Sequence, residues 1–168
     1  MTKTISAAAV GLAVCLSVMA VPKVNFNGAW IMDRNRSFGI PRDLDSTMTV
    51  KQSEDQIEVE TKLIQTGSER TLNDTYIFDG KEHDFNPPAP PNAPADAPKP
   101  KGKRTSAWLP DGKGILLTEL VTNETPQGPV TTQMLRKWSF TGENELTVTT
   151  FVDGPRGSYE AKRIFLRK

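Results

Sequence analysis

The sequence predicts an all-β protein, an antiparallel up-and-down meander of eight to ten strands closed into a barrel. Short segments alternate apolar and polar residues with a period of two, which is typical of strands with one buried face. Tight-turn sequences such as Pro110-Asp111-Gly112 stand between these segments, and no segment sustains a helical period. Closing such a meander on itself is the simplest way to remove its exposed edges.

The first twenty residues are typical of a secretory signal peptide. Lys3 supplies one positive charge, an uncharged run extends from Thr4 to Ala20, and small residues precede Val21. The run is short for a membrane span, which needs about 20 apolar residues. We therefore expect cleavage after Ala20, export to the periplasm or the cell exterior, no stable membrane insertion afterwards, and one domain over 21–168.

Composition excludes several classes of function. The only cysteine, Cys15, lies in the signal, so the mature chain is predicted to have no disulfide, thiol nucleophile or thiolate ligand. The formal charge of the whole chain is +1 and falls to zero without Lys3, which gives no electrostatic reason to bind nucleic acid. One basic group is interpreted as the solvated face of a loop: Lys99, Lys101, Lys103 and Arg104.

The first predicted strand, about Phe26 to Met32, contains a glycine and a tryptophan two residues apart on one face. Gly28 is expected to let another backbone come close. Trp30 is expected to supply a large plug with one N–H to satisfy, as the bottom of a closed barrel requires.

Alternation continues through strands near 46–52, from Ile57 to Leu63, and near 70–79. Seven of the thirteen prolines then fall within 87–100, which predicts an extended, partly polyproline loop at 86–102 that cannot join a sheet interior. Further strands are predicted after it, near 103–109, 114–123, 130–140, 145–152 and 158–167.

The two ends of the mature chain together resemble the calycin superfamily, which includes the lipocalins and the fatty-acid-binding proteins. The residues that carry the resemblance are Phe26-Asn27-Gly28-Ala29-Trp30 and the closing segment 161–167. The resemblance implies that the tryptophan packs near a basic side chain of the closing strand, for which Arg163 is the best match. Barrel closure is therefore predicted to involve Gly28, Trp30 and Arg163.

More closely, the chain resembles small exported lipocalin-like proteins of bacteria. The matching phrases, in order, are Phe26 to Trp30, Ser37 to Gly39, Phe78 to Glu82 and Arg136 to Ser139. Fatty-acid-binding proteins commonly hold a carboxylate with an Arg-x-Tyr pair in the last strand, and the corresponding residues here are Arg163 and Phe165, so the phenol is missing.

Inward-facing positions provide the candidate ligand site. One face of 130–140 carries large side chains and Arg136, which could hold an anionic or carbonyl group in an apolar cavity. Alternatively, these side chains fill a small barrel and Arg136 pairs with a glutamate or reaches solvent. The candidate cavity residues are Tyr76, Phe78, Trp108, Met134, Arg136, Trp138, Phe140, Arg163 and Phe165.

His83 lies among acidic residues, and such a setting suggests two hypotheses, a general base or a weak metal site. The chain offers no second histidine, and the mature part no cysteine. We predict no catalytic residue, no metal and no cofactor.

The function expected from the resemblance is non-catalytic binding of a small, mainly apolar molecule inside the barrel. The alternative is an interaction protein, because bacterial calycins include periplasmic inhibitors of secreted metalloproteases. Such a protein would use the loop at 86–102 or a free N-terminal tail, Val21 to Asn25, to bind its protein partner. An enzyme is the third class.

Overall fold

The computed structural model describes residues 21–88 and 97–168, and none of these residues is helical. Ten strands form one antiparallel sheet. Their bounds are β1 (Gly28–Phe38), β2 (Asp45–Gln52), β3 (Gln56–Gln65), β4 (Ser68–Ile77), β5 (His83–Phe85), β6 (Lys101–Trp108), β7 (Gly114–Thr125), β8 (Gly128–Gly142), β9 (Glu145–Gly154) and β10 (Gly157–Arg167). Within the described ranges, the chain forms no helix long and apolar enough to cross a membrane.

The strands lie in the order β4-β3-β2-β1-β10-β9-β8-β7-β6-β5. Neighbours in the chain are therefore neighbours in the sheet, and the first strand also pairs with the last. This arrangement confirms the predicted all-β meander. Right-handed twist curls a sheet of this width, so its two ends approach each other.

Side chains, rather than a backbone ladder, join the two ends of the sheet among the described residues. Arg104 on β6 donates from Nη1 to the carbonyl oxygen of Thr75 on β4 at 3.3 Å. The Nη2 atom of Arg104 lies 2.7 Å from Oδ1 of Asp74 on the same strand. Arg104 thus links β4 and β6 along this seam.

Aromatic side chains fill the bottom of the barrel. Trp30 is fully buried, and its Nε1 donates to the carbonyl oxygen of Phe26 at 3.0 Å. The ring of Phe26 lies 5.2 to 6.0 Å, centroid to centroid, from the rings of Trp108, Trp138 and Phe140. These five residues are called the aromatic plug below.

The N-terminal segment is docked onto the barrel, so the prediction of a free tail at Val21 to Asn25 was wrong. The backbone N–H of Val24 donates to the carbonyl oxygen of Gly112 at 3.0 Å. Gln52 donates from Nε2 to the carbonyl oxygen of Val24 at 3.0 Å and accepts from the N–H of Phe26 at 2.8 Å. Burial of Phe26 in the aromatic plug holds the segment in place.

The cation over the ring of Trp30 is Arg167, at 4.6 Å, and the prediction of Arg163 was wrong. The register explains the difference, because Trp30 lies directly opposite Arg167 in the β1–β10 pair. Arg163 is four residues earlier, or about 13 Å along the strand. Arg167 also donates to the carbonyl oxygen of Asn27 at 3.1 Å.

Gly28 contributes its backbone conformation rather than a close approach of another backbone. Its φ is +133°, a region that L side chains rarely adopt. A Cβ at this position would lie in ordinary contact with Nη1 of Arg167, at 3.8 Å, so space is not what requires glycine.

Strand β6 begins at Lys101, inside the predicted loop at 86–102. Interpreting Arg104 as part of a solvated face was wrong, since this residue is only 5% exposed. Period two turns Arg104 inward and leaves Lys103 outward, where its Nζ lies 2.5 Å from Glu82. Residues 89–96 of the predicted loop lie outside the described residues.

Candidate ligand-binding cavity

A cavity of about 210 Å³ lies inside the curled sheet. Its apolar walls come from both halves of the sheet and from the segment after β5, and include Met48, Leu63, Leu72, Phe85, Val148 and Phe165. Pro87 and Pro88, the first prolines of the predicted loop, also line it. The cavity is therefore surrounded largely by apolar groups, as small-molecule sites usually are.

Six of the nine predicted site residues line this cavity: Tyr76, Met134, Arg136, Trp138, Arg163 and Phe165. They are brought together because period-two positions on β4, β8 and β10 face inward. The remaining three, Phe78, Trp108 and Phe140, do not line it. Trp108 and Phe140 belong to the aromatic plug, and the ring of Phe78 lies 5.0 Å from that of Trp108.

A buried ion cluster centred on Glu119 occupies one wall. Glu119 is fully buried, and its Oε1 accepts from Nε of Arg104 at 2.7 Å. Its Oε2 lies 3.1 Å from Nη2 of Arg136. With Asp74 also on Arg104, two carboxylates offset two guanidinium groups. We call these four residues the Glu119 cluster.

The phenol of Tyr76 lies beside this cluster. Nη1 of Arg136 lies 3.5 Å from its hydroxyl oxygen, and Cζ of Arg104 lies 4.6 Å from its ring centroid. Burial raises the pKa of Tyr76 to about 12, so the hydroxyl is a neutral group at physiological pH. Burial alone would lower the pKa of Arg104, but Tyr76, Glu119 and Asp74 raise it above its usual value.

Arg163 differs from the other two arginines of the cavity. No carboxylate of a described residue lies within ion-pairing distance of it, and its Nε–H is buried without a hydrogen-bond partner among those residues. Burial, together with the nearby charge of Arg136, lowers the pKa of Arg163 from its usual value. This guanidinium is consequently the one cation of the cavity wall that no described side chain neutralises.

Sequence reasoning missed Glu119, Asp74 and Arg104 as residues of the cavity. A signal was present for Glu119, because it shares the inner face of β7 with Ile115 and Leu117. A charged residue on an otherwise apolar strand face predicts a buried ion pair. The same signal was present for Asp74, which shares one face of β4 with Leu72 and Tyr76. Its contact with Arg104 could not be predicted, because that contact depends on how far the sheet curls.

His83 does not line the cavity. Its Nε2 lies 2.9 Å from Oδ1 of Asp79, and both side chains are partly exposed. The hydrogen bond from His83 lowers the pKa of Asp79. The described residues contain no group of three or more His, Cys, Asp or Glu side chains that could hold a metal ion.

No protein-family model matches the chain, and no curated protein does. Solved structures with a similar chain path include the zebrafish ileal bile acid-binding protein complexed with cholic acid, at 16% identity and a TM-score of 0.48, over 85% of this chain and 98% of that one. The fatty-acid-binding protein of Manduca sexta gives 15% identity and a TM-score of 0.44, over 84% and 99% of the two chains. Secretory abundant heat soluble protein 4 of Ramazzottius varieornatus gives 13% and 0.48, over 84% and 94%.

Proposed function

We propose that this protein binds a small, mainly apolar molecule in the cavity of its barrel, without catalysis. The observation that carries the proposal is the cavity of about 210 Å³ between apolar walls, above a plug that already closes the bottom. Burial of a ligand's apolar surface there contributes about 25 cal/mol per Å².

The first test is native mass spectrometry of the protein purified gently from its own host, with solvent extraction of any bound molecule. A binding protein is expected to carry a stoichiometric small molecule or to take up 1-octanol, measured by titration calorimetry. A bare mass together with no heat of 1-octanol binding would contradict the proposal.

Met134→Trp is expected to fill the cavity and weaken 1-octanol binding at least tenfold. Met134 lines the cavity, so the larger indole occupies volume that the ligand needs. Leu135→Trp is the matched control, because the neighbouring residue faces outward beside Phe151. Equal binding by the two variants, with unfolding midpoints near the wild-type value, would place the ligand elsewhere.

We also propose that the protein is exported as a lipocalin-like domain and that residues 1–20 are removed. These residues lie outside the described ones, so the support is the charge and apolar pattern of the sequence. Intact-mass measurement of the protein from a secreting bacterial host is expected to give a chain that begins at Val21. A mass that retains Met1 to Ala20 would refute cleavage. A protein partner at 86–102 stays a prediction.

A further inference from the structure

We infer that a groove on the outer face of the barrel binds a small quaternary ammonium cation. The groove is built by β8 and by the hairpin that joins β9 to β10, and its volume is about 320 Å³. That volume lies within the usual range of small-molecule sites. The residues that line the groove are all different from those that line the barrel cavity. The inference therefore goes beyond the proposed function and does not depend on it.

Two exposed aromatic residues line this groove. Phe151 is 49% exposed and Tyr159 is 60% exposed, although large apolar side chains are usually buried. Period two turns Phe151 away from the barrel interior, and Leu135 of β8 lies directly opposite it. The face of an aromatic ring is partly negative, so it attracts a cation within about 6 Å of its centroid. The groove thus combines an apolar surface with a surface that favours positive charge.

The charged residues of the groove are both acidic. Glu160 lies directly opposite Phe151 in the β9–β10 pair, and Asp153 follows Phe151 by two residues on the same face of β9. Within residues 21–88 and 97–168, no lysine, arginine or histidine lines the groove, and neither carboxylate forms an ion pair. A cationic ligand would therefore meet two carboxylates without displacing an existing counter-ion.

The hydrogen bonds of the groove favour a cation that has no N–H groups. Oδ1 of Asp153 already accepts from Oγ of Ser158 at 2.6 Å. A primary ammonium or guanidinium ion carries several N–H donors, and each of them needs an acceptor when it leaves water. A quaternary ammonium ion makes no such demand, and it can lie against the Phe151 ring while Glu160 and Asp153 offset its charge. Aromatic rings are a common means of recognising ions of this class.

The experiment compares choline with 3,3-dimethyl-1-butanol, a neutral molecule of the same shape in which carbon replaces nitrogen. Backbone amide chemical shifts of the isotope-labelled protein measure both affinities and locate the site. Choline is expected to bind about threefold to thirtyfold more tightly than the neutral analogue, which is the usual range of cation–π contacts. Its shifts should fall on 151–153 and 158–160. A ratio below about twofold, or shifts confined to the barrel cavity, would overturn the inference.

Two variants remove the features that are held responsible. Phe151→Leu removes the ring and keeps an apolar side chain, and Glu160→Gln removes one charge at nearly constant size. Each is expected to weaken choline binding by at least about threefold and to leave the neutral analogue unaffected. Phe38→Leu and Glu54→Gln are the matched controls, because both residues are exposed and neither lines the groove. Choline binding that is unchanged in Phe151→Leu and Glu160→Gln would contradict the assignment.

Salt and a second probe test the class of ligand. Added sodium chloride should weaken choline binding and leave the neutral analogue unchanged, because salt screens exposed carboxylates. Tighter binding of an arginine-rich peptide than of choline at the same amides would indicate a basic protein partner and overturn the assignment to a small cation. Unfolding midpoints serve as the fold control, since substitutions of exposed residues usually change stability little.

Discussion

Glu119→Ala is expected to lower the free energy of unfolding by about 3–5 kcal/mol, because it leaves two guanidinium groups inside the barrel without their shared carboxylate. Glu119 is fully buried and accepts from Arg104 at 2.7 Å while facing Arg136 at 3.1 Å. Since domains of this size are stable by only about 5–15 kcal/mol, such a loss is large. The urea midpoint of unfolding, followed by tryptophan fluorescence, measures it.

Two further variants test whether the unpaired buried guanidinium groups cause this loss of stability. Glu82→Ala removes a carboxylate from an exposed pair with Lys103, and it should leave the urea midpoint close to the wild-type value, because water screens exposed ion pairs. The double variant Arg104→Met with Glu119→Leu should recover part of the loss, because it removes a buried cation together with its partner. Strictly additive losses in that double variant would contradict the explanation.

Phe26→Ala is expected to destabilise the protein by about 3–5 kcal/mol, although Phe26 precedes the first strand. Its side chain is fully buried, and its ring contacts three other aromatic rings at the bottom of the barrel. Truncation opens a void beneath the cavity. It also leaves the backbone of Phe26 less firmly held, although the carbonyl oxygen of Phe26 accepts the hydrogen bond from the indole N–H of Trp30. Thermal unfolding followed by near-ultraviolet circular dichroism measures the change.

A control variant at the same end of the chain distinguishes the docking of Phe26 from a general effect of N-terminal substitutions on stability. Val21 is 51% exposed, so Val21→Ala should change stability by less than about 0.5 kcal/mol. Phe26→Leu, which keeps much of the volume, should lose less than Phe26→Ala. A loss of stability in Phe26→Ala no larger than that in Val21→Ala would contradict docking of Phe26 in the aromatic plug.

The sequence by itself determined the fold class and much of the cavity wall. Alternation with a period of two is a local property, and it assigned Met134, Arg136 and Trp138 to one face of β8 before any partner strand was known. The inward positions of Arg163 and Phe165 followed from the same rule. Turn sequences located the strand ends for a similar reason, because turn conformation depends on a few consecutive residues.

Only the tertiary structure decided which of these residues meet across the barrel. The strand register places Arg167, rather than Arg163, over Trp30, and a register is set by pairing between distant parts of the chain. The curl of the sheet brings Asp74 of β4 to Arg104 of β6, although about thirty residues separate them in sequence. No local sequence pattern specifies that contact, so the sequence could supply two inward arginines, Arg136 and Arg163, but could not show which of them lacks a carboxylate partner.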